Sequence, residues 1–153
     1  MNNIVIKQCE PVEDIQKIAK EIFGIDLSIS GGWGYDENSA TVIDKLEMPM
    51  DQFTNIFATI RANIEMNITL DDENRYSAIN ITLIDSKETK INNKTYTVVS
   101  FKITAINELL YKDFIKEYKE GYGKKEFDLA EHFKKREENT IVRNIDYWFL
   151  GLQ

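Results

Sequence analysis

Residues 79–105 read INITLIDSKETKINNKTYTVVSFKITA, two long β-rich runs on either side of Asn92-Asn93. A two-residue loop at these asparagines would pair Leu83 with Lys102 and place an apolar and a charged side chain on one face. A three-residue loop or a bulge shifts the register by one residue. The shifted register instead pairs apolar residues with apolar residues: Ile79, Ile81 and Leu83 with Ala105, Ile103 and Phe101. We predict this antiparallel pair in the shifted register.

Two amphipathic helices are predicted before this pair. From Pro49 to Met66 the apolar residues recur at helical spacing and Asp51 falls in the first turn, which favours a helix that crosses the sheet. From Pro11 to Phe23 the same spacing recurs, and Gly24 follows as a stop signal. Two short strands are predicted between these helices, the first alternating from Ile25 to Ile29 and the second at Ala40 to Asp44.

Helical spacing returns after the strand pair. A helix is predicted from Asn107 to the stop at Gly121, and a shorter one from Glu126 to Glu138. The last stretch, Thr140 to Leu152, fits a helical face, although its end could also be a buried strand, and we predict a helix. The sequence thus predicts one α+β domain over residues 1–153, with a mostly antiparallel sheet of about four strands packed against three or more helices.

The net charge and the composition of the chain indicate which classes of partner it can bind. The 153 residues carry a formal net charge of -7, with 42% hydrophobic residues, which is ample for a core. The field of such a chain repels nucleic acids and anionic membranes and attracts basic partners. The basic residues near Lys124 and Lys134 lie among glutamates, as on a solvated helix face. Met1 to Lys7 lacks the long apolar stretch of a secretory signal, and Cys9 is the only cysteine, so we expect a cytoplasmic protein that binds neither nucleic acid nor membrane.

Few residues could support catalysis. His132 is the only histidine and follows Asp128 by four residues, so the two could form either a catalytic pair or an exposed ion pair on one helix face. Cys9 precedes the first predicted helix, where a thiol can have a lowered pKa, but it lacks an identifiable base, and we interpret it as a small buried or incidental thiol. We identify no catalytic set among these residues.

Metal and cofactor sites are also not predicted. One cysteine and one histidine cannot close a structural zinc site. The acidic groups Asp71-Asp72-Glu73 and Asp36-Glu37-Asn38 do not have the spacing of a calcium loop. We therefore expect neither a metal nor a cofactor.

The segment from Ser30 to Glu37 contains three glycines, at 31, 32 and 34. In one interpretation the glycines form a structural turn and Trp33 folds back onto the core. In the other, a partly exposed Trp33 and Tyr35 stand beside Asp36 and Glu37, an aromatic anchor with an acidic surround that suits a basic protein. We predict the second arrangement, with these four residues as the partner-binding site.

The stretch SISGGWGYDENSATVI, residues 28–43, resembles a strand–glycine loop–strand segment of immunity proteins in bacterial polymorphic toxin systems. The resemblance covers about a tenth of the chain and carries over no functional residue. It implies a small acidic cytosolic protein that neutralises a cognate toxin, often a basic nuclease, by occluding its active site.

The function predicted from these features is a non-enzymatic protein-binding module, of which a toxin-neutralising immunity protein is the most specific form. The alternative is a small-ligand-binding protein or a carboxylate-based enzyme, which requires a deep pocket between the sheet and a helix. A third interpretation is a scaffold that associates with itself through apolar residues of the C-terminal segment.

Overall fold

The computed structural model describes residues 6–151, so the predictions for Met1 to Val5 and for Leu152 lie outside the described residues. Four α-helices and a five-stranded sheet make up this part of the chain, which confirms the α+β class and adds one strand to the predicted number. The helices are α1 Ile15–Phe23, α2 Met50–Asn63, α3 Glu108–Gly121 and α4 Leu129–Glu138. The strands are β1 Ile29–Gly31, β2 Thr41–Ile43, β3 Tyr76–Ile91, β4 Lys94–Asn107 and β5 Thr140–Leu150.

The strand order in the sheet is β1-β2-β5-β4-β3. All neighbouring strands are antiparallel except β2 and β5, which are parallel. Helix α2 packs on one face of β4 and β5, where the ring of Phe57 lies 6.4 Å from Tyr147 and 5.4 Å from Phe149. We call this the inner face, and the opposite side of the sheet the outer face.

The predicted register of β3 and β4 is confirmed at its centre, where Ile81 pairs with Ile103 and Leu83 with Phe101. A bulge between Leu83 and Asp85 produces the shift. The loop itself is a two-residue turn at Asn92 and Asn93, not the predicted three-residue loop. Asn92 and Asn93 have φ angles of 49° and 66°, as a type I′ turn requires. A second irregularity, between Ser77 and Asn80, leaves the predicted pairing of Ile79 with Ala105 outside the regular ladder.

The two N-terminal helices differ slightly from their predicted bounds. Helix α1 begins at Ile15, because the side chain of Asp14 accepts a hydrogen bond from the amide of Lys17 and caps the helix. Pro11 therefore precedes the helix, while Gly24 ends it in the left-handed conformation as predicted. Helix α2 continues directly into a π-helical turn, Ile64–Ile68. The first predicted strand is regular only from Ile29.

The prediction of a C-terminal helix is wrong for residues 140–150, which form β5. Ile141, Ile145 and Phe149 are four residues apart, and this spacing places side chains on one side of a helix and equally on one face of a strand. The fully buried Tyr147 falls between them at the alternate position that only a strand places on that same face. The chain therefore adopts the extended conformation.

Helices α3 and α4 form a hairpin inserted between two adjacent strands. Helix α3 begins one residue after β4 ends, and β5 begins two residues after α4 ends. At the base of this insertion Ile106 pairs with Thr140. Among residues 6–151 no helix is long and apolar enough to cross a membrane.

Candidate functional site

Trp33 is a core residue. Its side chain is only 3% exposed, it lies 6.1 Å from the ring of Phe57, and its indole Nε1 donates a hydrogen bond of 3.1 Å to the carbonyl of Glu10. The prediction of a partly exposed Trp33 is therefore wrong. Because the backbone carbonyl satisfies the one polar atom of the indole, the ring can be buried at no hydrogen-bonding cost.

The glycines before and after Trp33 belong to the connection between β1 and β2, and we call residues 31–34 the glycine turn. A Cβ on Gly32 would lie 2.4 Å from the carbonyl oxygen of Ser39, and Gly34 has a φ of 85°. The carbonyl of Gly34 accepts a hydrogen bond of 2.9 Å from the amide of Trp148, so the turn is attached to β5. The structural interpretation of the glycines is thus confirmed.

Tyr35 is half-buried and points back into the molecule. Its hydroxyl donates to Oε2 of Glu65 and accepts a hydrogen bond of 2.8 Å from the amide of Cys9. Burial raises the pKa of this phenol, and the negative charge of Glu65 raises it further. Tyr35 is thereby fixed to the π-helical turn that contains Glu65, and its hydroxyl is not free for a partner.

The side chain behind Tyr35 is Arg61 of α2, which is fully buried. Its guanidinium carbon lies 3.9 Å from the ring centroid of Tyr35 and 3.8 Å from that of Tyr147, so the group is stacked between two aromatic rings. Nη1 donates to the carbonyls of Trp33 and Gly34, each at 3.2 Å. Arg61 thus holds the backbone of the glycine turn in place.

The buried charge of Arg61 is paired. Its Nε lies 3.3 Å from Oε2 of Glu65, which is also fully buried, and Nη1 of Arg143 lies 3.4 Å from Oε1 of the same carboxylate. We call Tyr35, Arg61, Glu65, Arg143 and Tyr147 the Arg61 cluster. Two guanidinium groups face one carboxylate, so the cluster has a net positive charge. Nη2 of Arg61 is buried and has no hydrogen-bond partner among residues 6–151.

Arg61 and Glu65 were not predicted from the sequence. The signal was present, because the two are four residues apart in a helix and both fall on the face of Phe57, where charged side chains are rare. An oppositely charged pair at that spacing inside an apolar stripe indicates a buried ion pair.

Asp36 and Glu37 lie at the surface, as predicted, and we call them the acidic turn. Oδ1 of Asp36 accepts hydrogen bonds from the amide and the hydroxyl of Ser39, at 2.8 and 3.0 Å. These bonds lower the pKa of Asp36. The hydroxyl oxygen of Ser39 in turn accepts from the amides of Tyr35 and Asp36. Asp36 is therefore ionised at neutral pH, and its bonds with Ser39 fix the backbone of the acidic turn.

A groove opens beside Tyr35 and the turn. It has a volume of about 560 Å³, and the Arg61 cluster forms its floor. Its lining comes from the N-terminal segment, the Arg61 cluster and strands β3, β4 and β5: Gln8, Tyr35, Arg61, Ile84, Ser100, Asn144, Ile145, Asp146 and Trp148. On the outer face the hydroxyl of Ser100 donates to Asp146. The groove thus has exposed carboxylate on its rim and buried guanidinium at its floor.

His132 lies elsewhere, in the helical hairpin. It is 1% exposed, and its Nδ1 lies 3.1 Å from Oε1 of Glu117. Asp128 instead caps α4 through the amide of Glu131, so the predicted pairing of Asp128 with His132 is wrong in both its catalytic and its exposed form. The ring is surrounded by aromatic side chains: Phe114, Tyr118, Phe127 and Phe133.

Cys9 is 7% exposed, which agrees with its interpretation as a small buried residue. Burial raises the pKa of its thiol to about 11. The first helix begins six residues further on, at Ile15, so no helix terminus stabilises a thiolate at Cys9. The thiol is therefore protonated at neutral pH.

Comparison of the chain with protein-family models, with curated proteins and with solved structures found no match. Within residues 6–151 no three histidine, cysteine, aspartate or glutamate side chains are grouped so that they could hold a metal ion. The groove and the acidic turn are the features of residues 6–151 that bear most directly on function.

Proposed function

We propose that the chain is a non-enzymatic protein-binding module that acts in the cytoplasm and binds a basic protein partner through its acidic turn. A toxin-neutralising immunity protein is the most specific form of this proposal, through the resemblance of residues 28–43. The observation that carries the proposal is the fixed acidic turn, whose carboxylates are exposed while the residue before them, Tyr35, is hydrogen-bonded to the core.

A surface of this kind suits association for two reasons. The conformation of the turn is already set by Ser39, so a partner does not have to order it on binding. The exposed carboxylates are part of the net charge of -7, which accelerates encounter with a basic protein. Within the predicted site, Asp36 and Glu37 make the contact, while Trp33 and Tyr35 support the turn from behind.

The experiment is co-expression with the product of the neighbouring gene, followed by binding kinetics of the purified pair. We expect a complex that survives about 150 mM salt, where exposed charges more than about 8 Å apart are already screened. Asp36→Asn with Glu37→Gln should slow association and flatten its salt dependence, because these charges steer the partner. The free energy of unfolding should change by less than about 0.5 kcal/mol, as for other surface substitutions.

The matched control is Asp71→Asn with Glu73→Gln, which removes the same charge from another exposed turn. Association that slows equally in the control would assign the effect to net charge and reject the acidic turn as the contact. A chain that forms no complex with the neighbouring gene product or with any basic protein tested would count against the proposal as a whole.

The groove favours a second candidate, a small-ligand-binding protein. Its volume of about 560 Å³ falls within the usual range for ligand pockets, roughly 300–1,000 Å³. Its floor contains Arg61, whose unpartnered Nη2 could donate a hydrogen bond to an acceptor group of a ligand. A screen of small carboxylates and amides by thermal shift tests this candidate, and a ligand that stabilises the protein but not its Asn144→Trp variant, which fills the groove, would support it over the first.

A further inference from the structure

Strand β5 is paired along only one of its edges for most of its length. On the β4 side the ladder runs without interruption from Thr140 to Leu150. On the other side β2 pairs only with Phe149 and Leu150, and Gly34 adds a single hydrogen bond to the amide of Trp148. From Thr140 to Tyr147 this second edge has no strand beside it among residues 6–151.

The open edge presents backbone groups at alternate residues. The amide of Trp148 points away from β4, towards Gly34. Because N–H and C=O groups alternate sides along an antiparallel strand, those of Asp146 and Asn144 point the same way. Neither has a backbone partner within residues 6–151. An unpaired row of this kind is a template for a further strand.

The groove described above lies along this edge. Asn144, Ile145 and Asp146 form one wall, and Gln8 of the N-terminal segment belongs to the same groove. The space of about 560 Å³ therefore borders the open edge of β5 and continues across the outer face to Ser100 of β4 and Ile84 of β3. One end is closed by the glycine turn, at the bond between Gly34 and Trp148.

The charges at the closed end define the occupant. Asp146 is exposed on the outer face, and the acidic turn follows Tyr35, which belongs to the same groove. Arg143, the only cation of β5, is 15% exposed and directed inward to Glu65. The guanidinium of Arg61 at the floor of the groove is fully buried and paired with Glu65, whereas the carboxylates of Asp146 and the acidic turn are exposed. A strand that enters from the outside therefore meets carboxylates at the end near Trp148, which favours lysine or arginine in that part of the incoming segment.

We infer that the open edge of β5 binds an extended, basic segment of the partner protein by strand addition, with hydrogen bonds to the backbone of Asn144 and Asp146. This inference rests on the proposed function and specifies its mode. Backbone hydrogen bonds supply the affinity, and the carboxylates of Asp146 and the acidic turn select the charge of the segment.

The probe is a synthetic peptide of about ten residues, the upper length of an ordinary strand, with alternating lysine and valine. Isotope-labelled protein is titrated with it and followed by amide NMR and hydrogen exchange. In the free protein the amides of Asn144 and Asp146 should exchange quickly, while those of Ile145 and Tyr147, directed to β4, are protected. The peptide should slow exchange at Asn144 and Asp146 selectively.

Two blocked forms test the backbone bonds. The first is the same peptide N-methylated at three consecutive central residues, which blocks both of its edges. The second is Asn144→Pro, which removes an outward N–H while keeping every bond to β4, with Asn144→Ala as its matched control. Each block should weaken binding about tenfold, the equivalent of one or two lost hydrogen bonds, and the alanine control should bind like the wild type.

The outcomes separate the inference from the proposed function. Binding that depends on Asp36 and Glu37 but tolerates N-methylation and Asn144→Pro would overturn strand addition and leave the basic partner standing. Binding that is lost on both blocks supports the inference even if the partner is later found to be other than a toxin. No change at Asn144 and Asp146 at millimolar peptide, or slow exchange of these amides in the free protein, would refute the open edge as a docking site.

Discussion

Two buried ionisable side chains, Arg61 in the inner core and His132 in the helical hairpin, have very different surroundings. Arg61 is stacked between two tyrosines and bonded to a carboxylate and two carbonyls. His132 has one polar contact, to the half-exposed Glu117, and its Nε2 has no partner within residues 6–151. Arg61 holds the backbone of the glycine turn through its hydrogen bonds, whereas His132 mainly fills space among aromatic rings.

The difference shows that burial alone does not identify a functional group. The contacts of Arg61 lead from α2 through the carbonyls of Trp33 and Gly34 to the acidic turn. The contacts of His132 end within the hairpin. Four substitutions or conditions test this contrast, starting with the one expected to have the largest effect.

Trp33→Ala should lower the free energy of unfolding by about 3–5 kcal/mol, because truncation of a buried large aromatic leaves a cavity. Urea unfolding followed by circular dichroism measures it. Trp148→Ala is the comparison, since that indole is only half-buried and should cost less. A loss below about 0.5 kcal/mol for Trp33→Ala, the range of surface substitutions, would mean that the ring is not part of the core.

Arg61→Met should destabilise the protein by about 3 kcal/mol, because removal of one partner leaves the carboxylate of Glu65 buried with weaker compensation. Arg143 remains within 3.4 Å of that carboxylate and should limit the loss. The double variant Arg61→Met with Glu65→Leu should recover part of the stability, because an apolar pair of similar volume replaces a buried ion pair. If the double variant were less stable than Arg61→Met alone, the loss in Arg61→Met could not be attributed to the unpaired carboxylate of Glu65.

Raising the pH above about 9 should destabilise the fold. The thiol of Cys9 has a pKa of about 11 in the folded protein against 9.0 in its ordinary state, so the unfolded chain loses its proton first. Stability from this group is complete below pH 9 and is lost as the pH rises towards 11. The expected loss is about 2–3 kcal/mol, since one pKa unit corresponds to about 1.4 kcal/mol.

The raised pKa values of Tyr35 and Tyr147 act in the same direction. Unfolding by urea at pH values on either side of this range measures the slope, and Cys9→Ala should make it shallower. Rapid reaction of Cys9 with a thiol reagent at neutral pH in the folded protein would show that the thiol is not buried as described.

His132→Phe should change the free energy of unfolding by less than about 1.5 kcal/mol, the net worth of a typical hydrogen bond, since phenylalanine fills the same aromatic cluster and removes an unpartnered nitrogen. Glu117, which is 46% exposed, can then be hydrated. The same unfolding assay measures this change. A loss as large as that of Arg61→Met would remove the distinction between the two buried groups.

Much of the fold was predictable because local patterns and tertiary packing agree. The central register of β3 and β4 followed from the pairing of Ile81 and Leu83 with apolar partners, even though the bulge that produces it could not be located from the sequence. The β5 strand was missed because a spacing of four residues, as between Ile141 and Ile145, fits both periodicities. Pairing with β4 and burial of Tyr147 and Phe149 in the inner core favour the strand over the helix.

The candidate site was predictable in part. Asp36 and Glu37 are exposed as expected, since charged residues in a turn seldom find buried partners. The buried position of Trp33 was not predictable, because a tryptophan in a glycine-rich segment can point towards the core or towards solvent. The carbonyl of Glu10, which accepts the hydrogen bond of its indole, is also distant in sequence. The open edge of β5 depends on strand order, which the local sequence does not encode.

The insertion of α3 and α4 has a consequence for how this chain can vary. Because Ile106 pairs with Thr140, the two ends of the hairpin are neighbours across one step of the ladder. Adjacent antiparallel strands can be joined by a turn of as few as two residues, so the sheet does not need the intervening helices for its connectivity. The hairpin can therefore lengthen, shorten or be exchanged for another module while the register of β4 and β5, and with it the groove, stays in place.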